Sequence, residues 1–110
     1  MKFLHMFHYE GVVHWDVINE MVDQGAVPHT FYTDQSGNPG IRAEIHRHVK
    51  QRYPGNVFFV NDYGILMDKN GRFSLFQQLI RDLLAAGAPI DGIGLQSHLK
   101  GLSHFSSFIR

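Results

Sequence analysis

The chain has 110 residues, with 10 Lys+Arg against 10 Asp+Glu and a formal net charge of zero. That length holds one small domain, and the balanced charge leaves no basic footprint for nucleic acid or an anionic membrane surface. Hydrophobic residues make up 44% and cysteine is absent, which argues for a packed core and excludes a disulfide scaffold, a thiolate metal site and a cysteine nucleophile.

The start of the chain, Met1 to Glu10, has one Lys and is interrupted by His5, His8 and Glu10, so it does not read as a signal peptide. No apolar run approaches the roughly 20 residues of a membrane helix. Val12-Val13-His14-Trp15-Asp16-Val17-Ile18 predicts a first buried strand, ending at Asn19-Glu20. A polar segment follows over 23–40, with Gly25, Pro28, Ser36, Gly37, Asn38 and Pro39. It reads as a long loop projecting from the C-terminal end of that strand, and loops of this length are often functional.

Ile41, Ile45, Val49 and Tyr53 recur every fourth position and predict a helix, which Pro54-Gly55 stops. Val57-Phe58-Phe59-Val60 predicts a second strand, ending at Asn61-Asp62-Tyr63. Its unbroken apolar run is the pattern of a strand covered on both faces. Phe73, Phe76, Leu79, Ile80, Leu83 and Leu84 form a wider stripe, with Ser74 near its start and Gly87 and Pro89 after its end. That stripe predicts a helix packed on a sheet. Ile90 to Leu95 predicts a third strand, ending at Gln96-Ser97-His98.

The order strand, helix, strand, helix, strand is that of a parallel α/β sheet. Each strand ends in a polar cluster, and successive clusters are separated by roughly 40 positions, the scale of βα units in a (β/α)8 barrel. Such barrels carry their catalytic groups at strand C-termini, but an open doubly wound sheet places ligands at the same edge.

The chemistry therefore concentrates at those ends. Glu20 follows an apolar strand that contains Trp15. Partial desolvation there would raise its carboxyl pKa and suit a general acid. The plainer reading is a Glu stabilising a helix N-terminus. Asn19 offers an amide for a sugar hydroxyl. Gln96 and His98 alternate on one strand face, where they either orient a carboxylate and bind hydroxyls or close the top of the sheet. Asp62 and Tyr63 are also compatible with ordinary turn chemistry.

Other motifs are weak. His46 and His48 are two apart and do not share a helix face, and His5 and His8 have no third ligand at a metal-binding spacing. No metal is expected. Gly92-x-Gly94 lacks the third glycine of a dinucleotide fingerprint at Ser97. Ser97-His98 lacks a nucleophile elbow.

Trp15-Asp16-Val17-Ile18-Asn19-Glu20 resembles the strand-four signature of glycoside hydrolase family 10, the endo-β-1,4-xylanases, and His8-Tyr9-Glu10-Gly11 resembles the segment leading into it. Phe59-Val60-Asn61-Asp62-Tyr63 resembles strand five, particularly of plant and animal members. Gly87 to His98, Gly-Ala-Pro-Ile-Asp-Gly-Ile-Gly-Leu-Gln-Ser-His, resembles strand six. The resemblance implies an α/β fold that is part of a (β/α)8 TIM barrel: three parallel strands with intervening helices, the whole of 1–110 being a partial family 10 catalytic domain.

It further implies hydrolysis of xylan or xylo-oligosaccharide with retention, and no cofactor. By that resemblance Glu20 is the acid/base. Asn19 bonds the sugar 2-hydroxyl, and Gln96 and His98 support the nucleophile and its sugar, with His98 bonded to the nucleophile carboxylate. Tyr63 lines the cleft. The family takes its nucleophile Glu from strand seven, whereas Leu99 to Arg110 contains no Glu, and Asp62 and Asp91 do not match its position. The 110 residues are therefore expected to be an internal fragment, inactive alone. Two alternatives are a non-catalytic carbohydrate-binding remnant and an unrelated small α/β binding domain. The family is usually extracellular, and the oligomeric state stays open.

Overall fold

The computed structural model describes residues 11–98. The readings made on Met1 to Glu10, including His5, His8 and the segment leading into the first strand, and on Leu99 to Arg110, lie outside them. The described elements are β1 (His14–Asn19), a hairpin of β2 (Val22–Asp23) and β3 (Val27–Pro28), α1 (Phe31–Ser36), α2 (Ile41–Arg52), β4 (Val57–Tyr63), α3 (Arg72–Ala85) and β5 (Gly92–Gln96). A single 3-10 turn, Lys69–Gly71, leads into α3.

β1, β4 and β5 form one sheet in that order, and both neighbouring pairs are parallel. α2 connects β1 to β4, and α3 connects β4 to β5. This is the βαβαβ order expected from the sequence.

The register divides the sheet into two faces. His14 and Asp16 of β1 pair with Val57 and Phe59 of β4, Phe59 and Asn61 pair with Gly92 and Gly94 of β5, and Tyr63 pairs with Gln96. These residues share one face. Phe58, Val60 and Asp62, on the opposite face of β4, are each 0% exposed. Val60 packs in the core with Ala43 and Ile45 of α2 and Phe76, Ile80 and Leu83 of α3, and Phe58 packs with Val49 of α2 in a second cluster. Val57 and Phe59 are only half-buried, so the unbroken apolar run of β4 is fully covered on the helix side alone.

Gly92 and Gly94 have a packing reason. A Cβ on Gly92 would lie 2.3 Å from the Phe59 ring, and one on Gly94 would lie 2.7 Å from Asn61 Oδ1. The bare backbone of β5 therefore makes room for two β4 side chains.

α2 ends as the sequence predicts, with Tyr53 N–H donating to the Val49 carbonyl at 2.8 Å. α3 ends in paired bonds, Ala88 N–H to Leu83 O and Gly87 N–H to Leu84 O, with Gly87 at φ +80°. This is a Schellman motif, whose left-handed position glycine occupies at little cost. The apolar stripe of α3 is wider than the face it buries. Phe76, Ile80 and Leu83 point inward, whereas Phe73 and Leu84 are exposed.

The polar segment over 23–40 is a correction to the sequence reading. It carries the hairpin turn and α1 rather than forming a featureless loop. None of α1 is buried. It is held locally by Thr33 Oγ1 donating to Thr30 O, Ser36 Oγ donating to Tyr32 O, and a left-handed Gly37 cap. Side-chain-to-backbone bonds of this kind order a polar segment without any apolar periodicity.

Candidate active site

Asp16 and Asn19 are three positions apart on β1, but their partners Phe59 and Asn61 are two apart on β4. The extra residue is a β-bulge, a device that re-aims a side chain. It returns Asn19 to the face shared by Asn61 and leaves Ile18 buried at 3%. Glu20 follows at φ +56°, with its N–H donating to the Asn61 carbonyl at 2.8 Å. The chain is thus turned sharply at the C-terminal end of β1, and Glu20 is half-buried there.

The Glu20 side chain is engaged from β5. Gln96 Nε2 donates to Glu20 Oε1 at 2.9 Å, and His98 Nε2 lies 2.9 Å from Gln96 Oε1. A carboxamide oxygen only accepts, so that contact requires the proton on His98 Nε2. Beside this chain, Asn61 Nδ2 donates to Asn19 Oδ1 at 2.8 Å. Residues 76 positions apart therefore meet at one edge.

Tyr63 is placed differently. Its ring lies against the Arg72 guanidinium, 3.9 Å from the ring centroid. A pocket of about 360 Å³ opens beside Glu20, lined also by Asn19, His29, Phe31, Tyr32 and Arg42. His29, Phe31 and Tyr32 come from the segment read as a loop.

The two aspartates considered for a second carboxylate do other work. Asp62 is 0% exposed on the helix side, in an ion pair with Arg72 at 2.7 Å. Asp91 precedes β5, away from the Gln96 end of that strand. It accepts the Phe58 N–H at 2.8 Å and a contact from Lys50 at 3.2 Å. The Phe58 N–H, with Lys50 adding to it, holds the Asp91 carboxyl below its ordinary value.

Among the described residues no group of three or more His, Asp or Glu is disposed to hold a metal ion. His46 is 0% exposed and His48 is exposed. Burial lowers the His46 pKa from 6.5 to about 4.

Sequence reasoning gave Asn61 and Arg72 no role of their own and read Asp62 only as turn chemistry or a mismatched second carboxylate; the geometry gives all three a structural one. Asn61 fixes both Asn19 and Glu20, and Asp62 and Arg72 tie down the segment after Glu20. The one available signal was an arginine at the head of the apolar stripe of α3, where a buried cation demands a partner.

The sequence model of Glycosyl hydrolase family 10 matches residues 4–108. The chain belongs to glycosyl hydrolase family 10. Its family relatives include the endo-beta-1,4-xylanase Xyn10C of Cellvibrio japonicus, 31% identical over 101 residues that cover 84% of this chain and 16% of that protein. Among solved structures, the intracellular xylanase TsXylA of Thermoanaerobacterium saccharolyticum aligns with a TM-score of 0.77 at 26% identity, over 97% of this chain and 34% of that one. Xylanase 10B of Thermotoga petrophila, in complex with xylobiose, aligns with a TM-score of 0.75 at 28% identity, over 97% of this chain and 32% of that one. The family 10 chain thus spans about a third or less of the length of these relatives. Its three-stranded sheet with covering helices is a section of the family's TIM barrel.

Proposed function

We propose that this chain supplies the acid/base part of a xylan-hydrolysing active site in a complete family 10 barrel. The observation that supports it best is the Glu20–Gln96–His98 chain at the C-terminal edge of the sheet, the edge where barrel enzymes carry catalysis. Glu20 protonates the departing glycosidic oxygen while a second carboxylate attacks the anomeric carbon. Glu20 then takes a proton from the water that releases the sugar. A retaining pair stands about 5–5.5 Å apart, and Asp62 and Asp91 are both engaged elsewhere. The nucleophile is therefore assigned to a further barrel strand.

In this reading Asn19 bonds the 2-hydroxyl of the sugar at the cleavage point, and Gln96 and His98 support the nucleophile side. Tyr63 borders the cleft. The substrate is xylan or a xylo-oligosaccharide, and the reaction uses no cofactor. The usual family location is extracellular. One structural relative is an intracellular xylanase, so membership by itself does not assign a compartment.

The 110-residue chain alone is expected to bind xylo-oligosaccharide weakly and not to turn it over. Reducing-sugar release from xylan by the purified chain, abolished in Glu20→Ala, would overturn the inactivity. Sequencing the transcript on both sides of the segment tests the larger reading. The expected result is an open frame carrying a strand with a nucleophilic Glu. Hydrolysis by that longer protein should fall by about two orders of magnitude or more in Glu20→Ala. Binding without turnover in the longer protein would instead favour the carbohydrate-binding alternative.

A further inference from the structure

We propose that the buried Asp62–Arg72 pair is a positioning device for Glu20. This rests on Glu20 being the acid/base group of the proposed function.

Glu20 occupies a left-handed backbone conformation, φ +56°. A residue other than glycine stays there only when its surroundings determine it. Those surroundings are two adjacent residues of β4 acting from opposite faces. Asn61 takes the near side, its carbonyl accepting the Glu20 N–H and its side chain donating to Asn19. Asp62 takes the far side, with Oδ2 accepting the Val22 N–H at 2.9 Å.

Arg72 completes the far side. Its Nη2 donates to Asp62 Oδ1 at 2.7 Å and to the Val22 carbonyl at 2.9 Å, and Nη1 donates to the Asp23 carbonyl at 2.8 Å. Nε donates to the Tyr63 carbonyl at 2.9 Å. One guanidinium thus ties α3, the end of β4 and the hairpin together. Asp62 is 0% and Arg72 4% exposed, so water does not compete for the ion pair or its bonds to Val22.

The residues before and after Glu20 are fixed to the same strand, and its carboxylate is left facing Gln96. Lysine cannot reproduce this arrangement, because its ammonium is a point donor without the planar fork. Asp62 and Arg72 do not touch Glu20's carboxylate. They act through the backbone of residues 22 and 23, and Arg72 also holds Tyr63 through its carbonyl and ring.

The test reads the Gln96 side-chain amide by NMR in the 110-residue chain, with the resonance assigned by its loss in Gln96→Leu. The reference for a released Glu20 is Glu20→Ala. Arg72→Lys is expected to move the Gln96 amide toward its position in Glu20→Ala. Leu83→Ala, which weakens the core away from the pair, should lower Tm and leave that amide in place. A folded Arg72→Lys protein with an unmoved Gln96 amide would overturn the proposal. So would an equal displacement in Leu83→Ala.

If Arg72→Lys does not fold, the unaltered chain supplies the second measurement. The Val22 amide should exchange with solvent at least about a hundred-fold more slowly than an unstructured amide, and exchange at the unstructured rate would overturn the proposal. No sugar is involved in either readout. Absence of xylan hydrolysis by the longer protein would count against the proposed function while leaving this arrangement standing, and the reverse also holds.

Discussion

At the scale of single residues, His46 has the clearest pH consequence. Its ring is 0% exposed, and neither nitrogen has a hydrogen-bond partner among the described residues. Burial disfavours the charged imidazolium, so the folded-state pKa falls to about 4 from 6.5. The unfolded chain then binds this proton more readily than the folded one. Stability from the neutral ring is complete above pH 6.5 and is lost as pH falls toward 4, by about 3 kcal/mol in total. Urea unfolding between pH 7 and 4 should show that loss, and His46→Phe should flatten it. Asp91 acts later, because its lowered carboxyl pKa places its own loss at still lower pH.

Gly94 gives a second test at this scale. A methyl group there would meet Asn61 Oδ1 at 2.7 Å. Asn61 would have to leave Asn19, so Gly94→Ala should destabilise by about 1–3 kcal/mol. The side-chain amide signals of Asn61 should shift with it. Gly55, where an added Cβ meets nothing within 4 Å, is the control site, and Gly55→Ala should leave those signals unchanged.

At the scale of elements, the hairpin of β2 and β3 is the informative piece. Each strand has two residues, too few to be stable in water on their own. It is attached by Val22, which is 0% exposed in the core, by the Val22 N–H bond to Asp62, and by the Val22 and Asp23 carbonyls that Arg72 reaches. Removing one partner of a buried pair leaves an uncompensated charge and typically costs about 3–5 kcal/mol. Asp62→Ala should lower stability on that scale in chemical denaturation. The hairpin amides should lose exchange protection before those of α2, which buries Ala43, Ile45 and Val49 and makes none of the pair's bonds.

At the scale of the whole molecule, the sheet is covered unevenly. Ile93 and Leu95 of β5 are 52% and 42% exposed on the helix side, and Phe73 of α3 is 48% exposed. They border an apolar cleft of about 230 Å³ together with Ile65, Phe76 and Ile80. β1 and β5 each have one strand neighbour among the described residues. Exposed apolar surface beside an unpaired strand edge favours association. The isolated chain should sediment as larger species as its concentration rises, and Leu95→Lys should shift it toward monomer.

The alternation of elements was legible in the sequence because it rests on local patterns. Spacing of four in Ile41, Ile45 and Val49 gave α2, Gly87 gave the end of α3, and the run Val57–Val60 gave β4. The order of these patterns implied a parallel sheet, since strands separated by helices return in the same direction. The residues at the strand ends were legible for the same reason: polar groups closing apolar runs are conspicuous.

The hairpin and α1 were not legible, because their support is either a distant buried ion pair and one core valine or short-range side-chain bonds, none with periodicity. The tertiary structure alone decided which residues touch. It turned Glu20 with a bulge, joined it to Gln96, set Tyr63 against Arg72, and sent Asp62 to the opposite face from Asn61. Sequence order fixes which residues stand at a strand end. The register between strands and the burial of one charged pair fix which way they point, and those depend on contacts between residues about 10 to 76 positions apart.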